Sequence, residues 1–380
     1  MLVKFKRKNS IQLSTFLFFI TVACVNAMEP KKEDPEQSEL QIEGRMMWDS
    51  SIFNGVHHDG KWDREVELRD AQITFKSKLN KIWKMELQLD FDQDDEIFKV
   101  ADANIQYIGW KELQLTLGRE KEPFGLEQLT SSASLTFVEP AMTTEAFAPS
   151  RNNGMSLSWD ADKMLWSVGL YNLDKEDTDR NHHALTGRWV YTPWHRHNQV
   201  LHLGLAGSIR SLGGEKYHIA ERAEVHTADK IVTSAKSFAD QVKLLGLESA
   251  WVNGPFSVQG EYMMARVEAE TRVSYIGYYL LGSYFLTGES RSYEKGRFGK
   301  VKSHASSGAW ELTARYSVLD TQENGSGSKG TNITLGINYY VNAHIRLMVN
   351  NVYTQLTKKG LDDTGQAFLL RIQYETGVNK

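Results

Sequence analysis

A two-residue alternation of apolar and charged side chains, held over most of the chain, limits what this sequence can fold into. Between Ile82 and Asp92, Trp83, Met85, Leu87, Leu89 and Phe91 alternate with Lys84, Glu86, Gln88, Asp90 and Asp92. Successive side chains of a strand point to opposite faces, so this stretch makes a ribbon that is greasy on one side and charged on the other. The pattern recurs through the last strand, where Phe368, Leu370, Ile372 and Tyr374 oppose Arg371, Gln373 and Glu375. Sixteen such segments can be read, over about 40–50, 64–79, 82–92, 99–109, 112–119, 152–160, 163–172, 183–192, 198–210, 240–252, 255–266, 272–287, 308–319, 330–341, 343–355 and 365–376. Two of them break step. Val66 and Leu68 are out of register with Ala71, Ile73 and Phe75, which requires a bulge near Arg69-Asp70. Ser274 to Leu286 is apolar on both faces and predicts a second covered face, against a subunit neighbour or a segment packed inside.

An even strand count returns both ends of the chain to one side. The connections then divide, with short turns at Asn80-Lys81, Trp110-Lys111, Ala161-Asp162, Asn253-Gly254 and Val341-Asn342, and mostly longer polar ones opposite. Soluble sandwiches rarely sustain this asymmetry. It predicts an all-β fold, a sixteen-stranded antiparallel transmembrane β-barrel over residues 40–376 in a bacterial outer membrane. The mean hydropathy of −0.44 and 24% charged residues are compatible with that, because only half of each strand meets lipid. Trp83, Trp110, Trp159, Trp189, Trp194, Trp251, Tyr339, Tyr340 and Tyr353 fall near strand ends, where interfacial aromatic girdles belong. Ahead of the barrel, Lys4, Lys6, Arg7 and Lys8 precede an apolar run from Leu13 to Val25 and the small Ala27. Residues 1–27 therefore read as a signal peptide, Cys24 within it, and 28–39 as a flexible polar leader.

Several functions are excluded. Loss of the four signal cations takes the formal charge from −4 to −8, which is no footprint for nucleic acid. His57-His58, His182-His183 and His195/His197 lack the cysteine or carboxylate spacing of a metal shell, and nothing calls for a cofactor. Ser131 and Ser132 have no Gly-x-Ser-x-Gly or paired-histidine context, so no enzyme is expected.

Gly118 to Gly154 alone interrupts the strands without resembling a solvated loop. It carries Phe124, Leu126, Leu129, Leu135, Phe137, Val138, Phe147 and three prolines. A connection this long and apolar packs against something, and in a barrel that is the lumen. The segment resembles the phosphate-selective porin O/P family through Gly118, Pro123, Phe124, Gly125, Leu126, Glu127, Thr130, Ser131, Ser132, Phe137 and Glu139. Further matches are Gly44-Arg45, Leu286-Thr287-Gly288-Glu289 with Arg291 and Tyr293, Gly308-Ala309-Trp310-Glu311 with Arg315-Tyr316-Ser317, and Gly336-Ile337-Asn338-Tyr339-Tyr340. Phosphate-specific relatives carry a basic residue after Gly-Leu-Glu and an arginine after the loop glutamate; here Gln128 and Pro140 stand there.

The resemblance implies a trimeric porin, embedded in outer-membrane lipid and lipopolysaccharide, that passes small anions such as phosphate or polyphosphate. Residues 118–154 would narrow the lumen, and so would the connection after Gly288, anomalously long for the short-turn side. A pore selects by size and by the field of its lining. Lumen-parity arginines 188, 210, 315, 346 and 371 (Arg188, Arg210, Arg315, Arg346, Arg371) make a candidate anion ladder, with Lys84 and His202 beside them. Glu86, Asp90, Asp102, Glu261 and Glu311 lie on the same faces. The run Arg291, Lys295, Arg297, Lys300 and Lys302, against Glu289 and Glu294, adds an excess of three positive charges. A general diffusion porin and a non-conducting surface barrel or adhesin are the alternatives.

Overall fold

The computed structural model describes residues 39–79, 81–91, 98–173, 182–196, 198–301 and 307–376. The signal peptide, the leader up to residue 38 and Lys302 lie outside the described residues. In chain order the strands are β1 (Glu39–Phe53), β2 (Asp63–Leu79), β3 (Trp83–Asp90), β4 (Lys99–Tyr107), β5 (Leu113–Lys121), β6 (Arg151–Ala161), β7 (Met164–Asn172), β8 (His183–Arg196), β9 (Gln199–Tyr217), β10 (Ala220–Glu221), β11 (Val232–Thr233), β12 (Ser237–Asn253), β13 (Phe256–Ala269), β14 (Val273–Phe285), β15 (Tyr293–Glu294), β16 (Arg297–Phe298), β17 (Ala309–Asp320), β18 (Ser328–Tyr340), β19 (Ile345–Lys358) and β20 (Leu361–Glu375). Sixteen of them close into one antiparallel barrel, while β10–β11 and β15–β16 are separate two-stranded hairpins. Closure joins β1 to β20, with Arg45 opposite Glu375 and Phe53 opposite Ala367. A closed sheet leaves no unpaired edge, which is the condition for strands in hydrocarbon.

The alternation does the sorting. Along β12, Leu245, Leu247 and Trp251 are exposed while Leu244, Glu248, Ala250 and Val252 are buried. Along β17, Trp310, Leu312 and Tyr316 face out and Glu311, Thr313, Arg315 and Ser317 face in. Charge and amide groups thus line the inside and apolar groups the lipid side. The expected bulge is present: the β1–β2 register passes from Met47 opposite Asp70 to Trp48 opposite Leu68, leaving Arg69 as the extra residue. The doubly apolar β14 is covered inside, where Tyr275, Tyr279 and Leu281 are buried.

Three expectations need correction. Strands facing the long loops run further than the alternation indicated, β9 to Tyr217 and β12 from Ser237, because ladder hydrogen bonds continue where the side-chain pattern fades. Tyr340 is no girdle residue. It neighbours the outward Tyr339, so strand parity turns it inward, where its hydroxyl donates to Glu311 at 2.9 Å. Val318, which two-residue parity places with the outward Trp310, Leu312 and Tyr316, is also buried.

The wall is uneven in height. β3, β4 and β5 have 8 or 9 residues, whereas β9 and β12 have 19 and 17. Residues 122–150, with the short helices α1 (Leu126–Leu129) and α2 (Met142–Phe147), fold inside from the long-loop end. Phe124, Met142 and Phe147 pack with inward-facing Leu244, Met263, Ala265 and Tyr275, and with Ile219 and Val232 from the connection between β9 and β12.

Candidate functional site

The inserted segment is fastened to one side of the barrel by buried polar contacts. At Gly125 the backbone turns at φ +79°, a conformation suited to glycine. The amides of Leu126 and Glu127 then point at the β13 wall, where the Glu261 carboxylate accepts both at 2.6 and 2.9 Å. Tyr279 of β14 donates to the same carboxylate at 2.6 Å. Glu127 faces back into the segment, accepting the Ala141 amide at 3.0 Å and the Thr144 hydroxyl at 2.5 Å. Thr130 caps Leu126 O, and Ser131 accepts from Arg45. Glu122, just before Pro123, binds Arg210 at 2.8 Å and takes hydroxyl and amide hydrogens from Thr186 and Asn152.

The predicted arginines point inward, but each is committed. Arg315 lies between Glu224 at 2.6 Å and Glu127 at 3.5 Å, its guanidinium 4.4 Å over the Phe137 ring. Glu311, four residues earlier on the same face of β17, stands near Arg346 at 3.8 Å instead. Arg371 forks onto Asp49 with two 2.7 Å bonds and also reaches Glu139 and Val138 O. Arg346 donates to Leu135 O at 2.7 Å. Arg69, the bulge residue, completes the clasp on Glu139. Burial tends to raise the Glu139 carboxyl, but Arg69 and Arg371 outweigh it and hold it at about 2. Fully paired cations of this kind fix a segment; they offer little field to a passing ion.

A second insertion rises from the short-turn end, between β14 and β17. Lys295 and Gly296 both have positive φ, 49° and 74°, the signature of a two-residue turn that joins β15 to β16. Arg188 donates to Gly296 O at 2.8 Å while paired with Glu248 at 2.5 Å. His202 bridges Glu248, at 3.0 Å, to the Tyr293 hydroxyl, at 2.6 Å. Arg291 lies 3.5 Å over the Phe298 ring and donates to Gln259. Lys300 pairs with Glu375. These locks hold Gly296 against the wall and leave the Lys295 and Arg297 side chains exposed.

Opposite the packed wall a different population appears. Lys84 of β3, Lys121 at the end of β5, Lys295 and Arg297 have no carboxylate within ion-pair distance among the described residues. Lys84 feels the repulsion of Lys295 and Lys78. Arg297 interacts with both Lys121 and Glu86, and Lys121 also with Arg45 and Arg151, which are paired to Asp70 and Asp102. The Lys121 ammonium binds Gln128 O at 2.6 Å, so a cation from β5 stands where the side chain of residue 128 supplies none. Three elements thus bring four basic side chains into one neighbourhood, with Glu86 beside Lys84 and Arg297 and the paired Asp102 beside Lys121. Lys295, Arg297 and Lys84 were legible in sequence. Lys121 and Glu122 were passed over, although they adjoin Pro123-Phe124-Gly125, and Glu224 sits in a connection without periodicity.

The family model described as "Phosphate-selective porin O and P" matches residues 40–375. Porin O of Pseudomonas aeruginosa is 29% identical over 408 aligned positions, covering 93% of this chain and 92% of that protein. Among solved structures, the anion-selective porin from Comamonas acidovorans superposes with TM-score 0.62 at 14% identity, over 89% of this chain and 100% of that one. A trimer form of OmpT, an outer-membrane protein of Vibrio cholerae, gives 0.55 at 12% identity, over 90% and 100%.

Proposed function

Since the chain belongs to the phosphate-selective porin O and P family, we propose that it is an outer-membrane channel through which small anions, phosphate and short polyphosphates among them, diffuse passively. The observation that carries this reading is the group of basic side chains without ion-pair partners, Lys84, Lys295 and Arg297 with the buried Lys121 behind them, near Glu86 and the already paired Asp102. A narrow lumen with low-dielectric walls strengthens their field, raising the local concentration of anions. Entry must be favourable without being tight, and Glu86 supplies the opposing charge that lets an anion leave. The 122–150 segment sets the width, and the ladder arginines serve to hold it there.

We further propose export by the residue 1–27 signal, assembly as a homotrimer like the trimer form of OmpT, and contact with outer-membrane lipid and lipopolysaccharide. A weakly selective diffusion pore is the second reading. The neutralised state of Arg188, Arg315 and Arg371 favours it, because wall charge then contributes little. Reversal potential under a potassium chloride gradient separates the two. Anion preference is expected for the parent channel, with phosphate reducing chloride current. Replacing Lys84, Lys121 and Arg297 with glutamine should move the reversal potential toward cations and remove the phosphate effect. A parent channel that passes potassium better than chloride would defeat the anion reading.

A further inference from the structure

On the outward face of the tall wall, cations gather with too few partners. Lys243 of β12 and Arg266 of β13 are register partners, and directly below them Leu245 is opposite Met264 and Leu247 opposite Tyr262. Lys243 shares outward parity with exposed Leu245, Leu247 and Trp251, and Arg266 with exposed Phe256. Both therefore sit one step beyond the apolar band, at the end of the barrel that bears the long loops and faces the exterior. Arg272, in the short connection to β14, joins them. All three converge on one carboxylate, Glu268, at 3.4 Å from Lys243, 3.6 Å from Arg266 and 2.8 Å from Arg272. Asp240 and Glu270, close by in sequence, pair with none of them. Counted over the groups within ion-pair distance of one another, one negative charge against three leaves a surplus of two. The enclosed Arg266 Nε has Glu268 at 3.6 Å, just beyond hydrogen-bond reach, and no other acceptor.

We propose that Lys243, Arg266 and Arg272 form a docking site for a phosphomonoester on a glycolipid of the outer leaflet, its acyl chains lying along Leu245, Leu247, Met264 and Tyr262. Position and charge both point there. Basic side chains at the boundary between apolar surface and water meet lipid phosphates, and the arginine fork suits phosphate oxygens. A phosphomonoester carries about −1.5 to −2 at neutral pH, matching the surplus. The phosphodiester of a zwitterionic phospholipid carries one charge beside its own cation and matches it poorly.

The proposal rests on the outer-membrane reading but not on the channel's ion preference. The delipidated full barrel in detergent is titrated, by native mass spectrometry, with a bisphosphorylated acylated glucosamine disaccharide, its dephosphorylated counterpart, a zwitterionic phospholipid and inorganic phosphate. The phosphorylated glycolipid should bind about tenfold tighter than the dephosphorylated one, a preference that Lys243→Gln with Arg266→Gln abolishes. Glu268→Gln, which removes the competing carboxylate, should strengthen binding several-fold. Equal affinity in parent and double variant, or equal affinity for the two glycolipids or for the phospholipid, overturns the site. Displacement of the glycolipid by inorganic phosphate at equal affinity overturns the lipid assignment. Neither altered side chain reaches the lumen, so the double variant should conduct like the parent in a zwitterionic bilayer, which shows that it is folded.

Discussion

Two titratable side chains show how one barrel gives like groups different work. Glu145 on α2 keeps an exposed edge, yet the protein around it, and then the charges of Glu139 and Glu221, push its carboxyl up to about 7. Below that pH it takes up a proton and removes a negative charge from the inserted segment. The anion-to-cation permeability ratio should therefore rise as pH falls from 8 to 6, and Glu145→Gln should flatten the profile. An unchanged slope in the variant would place Glu145 off the ion path. His57, after β1, is fully buried, both ring nitrogens lack partners, and burial lowers it to about 4. A group held neutral when folded but titrating near 6.5 when unfolded stabilises at neutral pH, and that stability is lost as pH falls from about 6.5 toward 4. The shift is equivalent to about 3 kcal/mol. Acid should loosen the loop, read as faster hydrogen exchange at Val56 to His58, and His57→Leu should blunt the effect.

At the scale of elements, the β15–β16 hairpin and the 122–150 segment divide the labour. The segment is bound by main-chain contacts to Glu261, Asn350, Asn338 and Arg371, so it behaves as part of the wall. The hairpin hangs on fewer anchors, chiefly Arg188 to Gly296 O and His202 to Tyr293. Tyr293→Phe removes one anchor without altering charge. It should increase open-channel current noise while leaving the reversal potential near that of the parent. Unaltered noise would mean that Arg188 and the Arg291–Phe298 stack suffice to hold the turn.

For the whole molecule, stability depends on charges shared between barrel and insertion. Arg371 of the closing strand serves Asp49, Glu139 and Val138 O together, so it ties β20, β1 and the insertion into one unit. Replacing one partner of a buried ionic cluster leaves the others uncompensated and costs about 3–5 kcal/mol. Arg371→Gln should accordingly lower the temperature at which the folded barrel loses its compact electrophoretic form. A shift no larger than that of an outward substitution such as Ile333→Val would show that water solvates the abandoned carboxylates.

The strand number, the lipid and lumen faces, the Arg69 bulge and the insertion after β5 were all legible in the sequence, because they follow from local rules: two-residue parity and the presence of apolar residues where a solvated loop has none. Parity also placed the arginines inside. It says nothing about distance across a lumen, and so it could not reveal that Arg315 meets Glu224 and Glu127 rather than Glu311, or that Arg188 is consumed by Glu248. Those pairings join strands and loops far apart in the chain, and closure of the barrel alone brings them together. The same closure decided which basic side chains stay without an ion-pair partner, since Lys84, Lys121, Lys295 and Arg297 become one group only when β3, β5 and the inner hairpin come together.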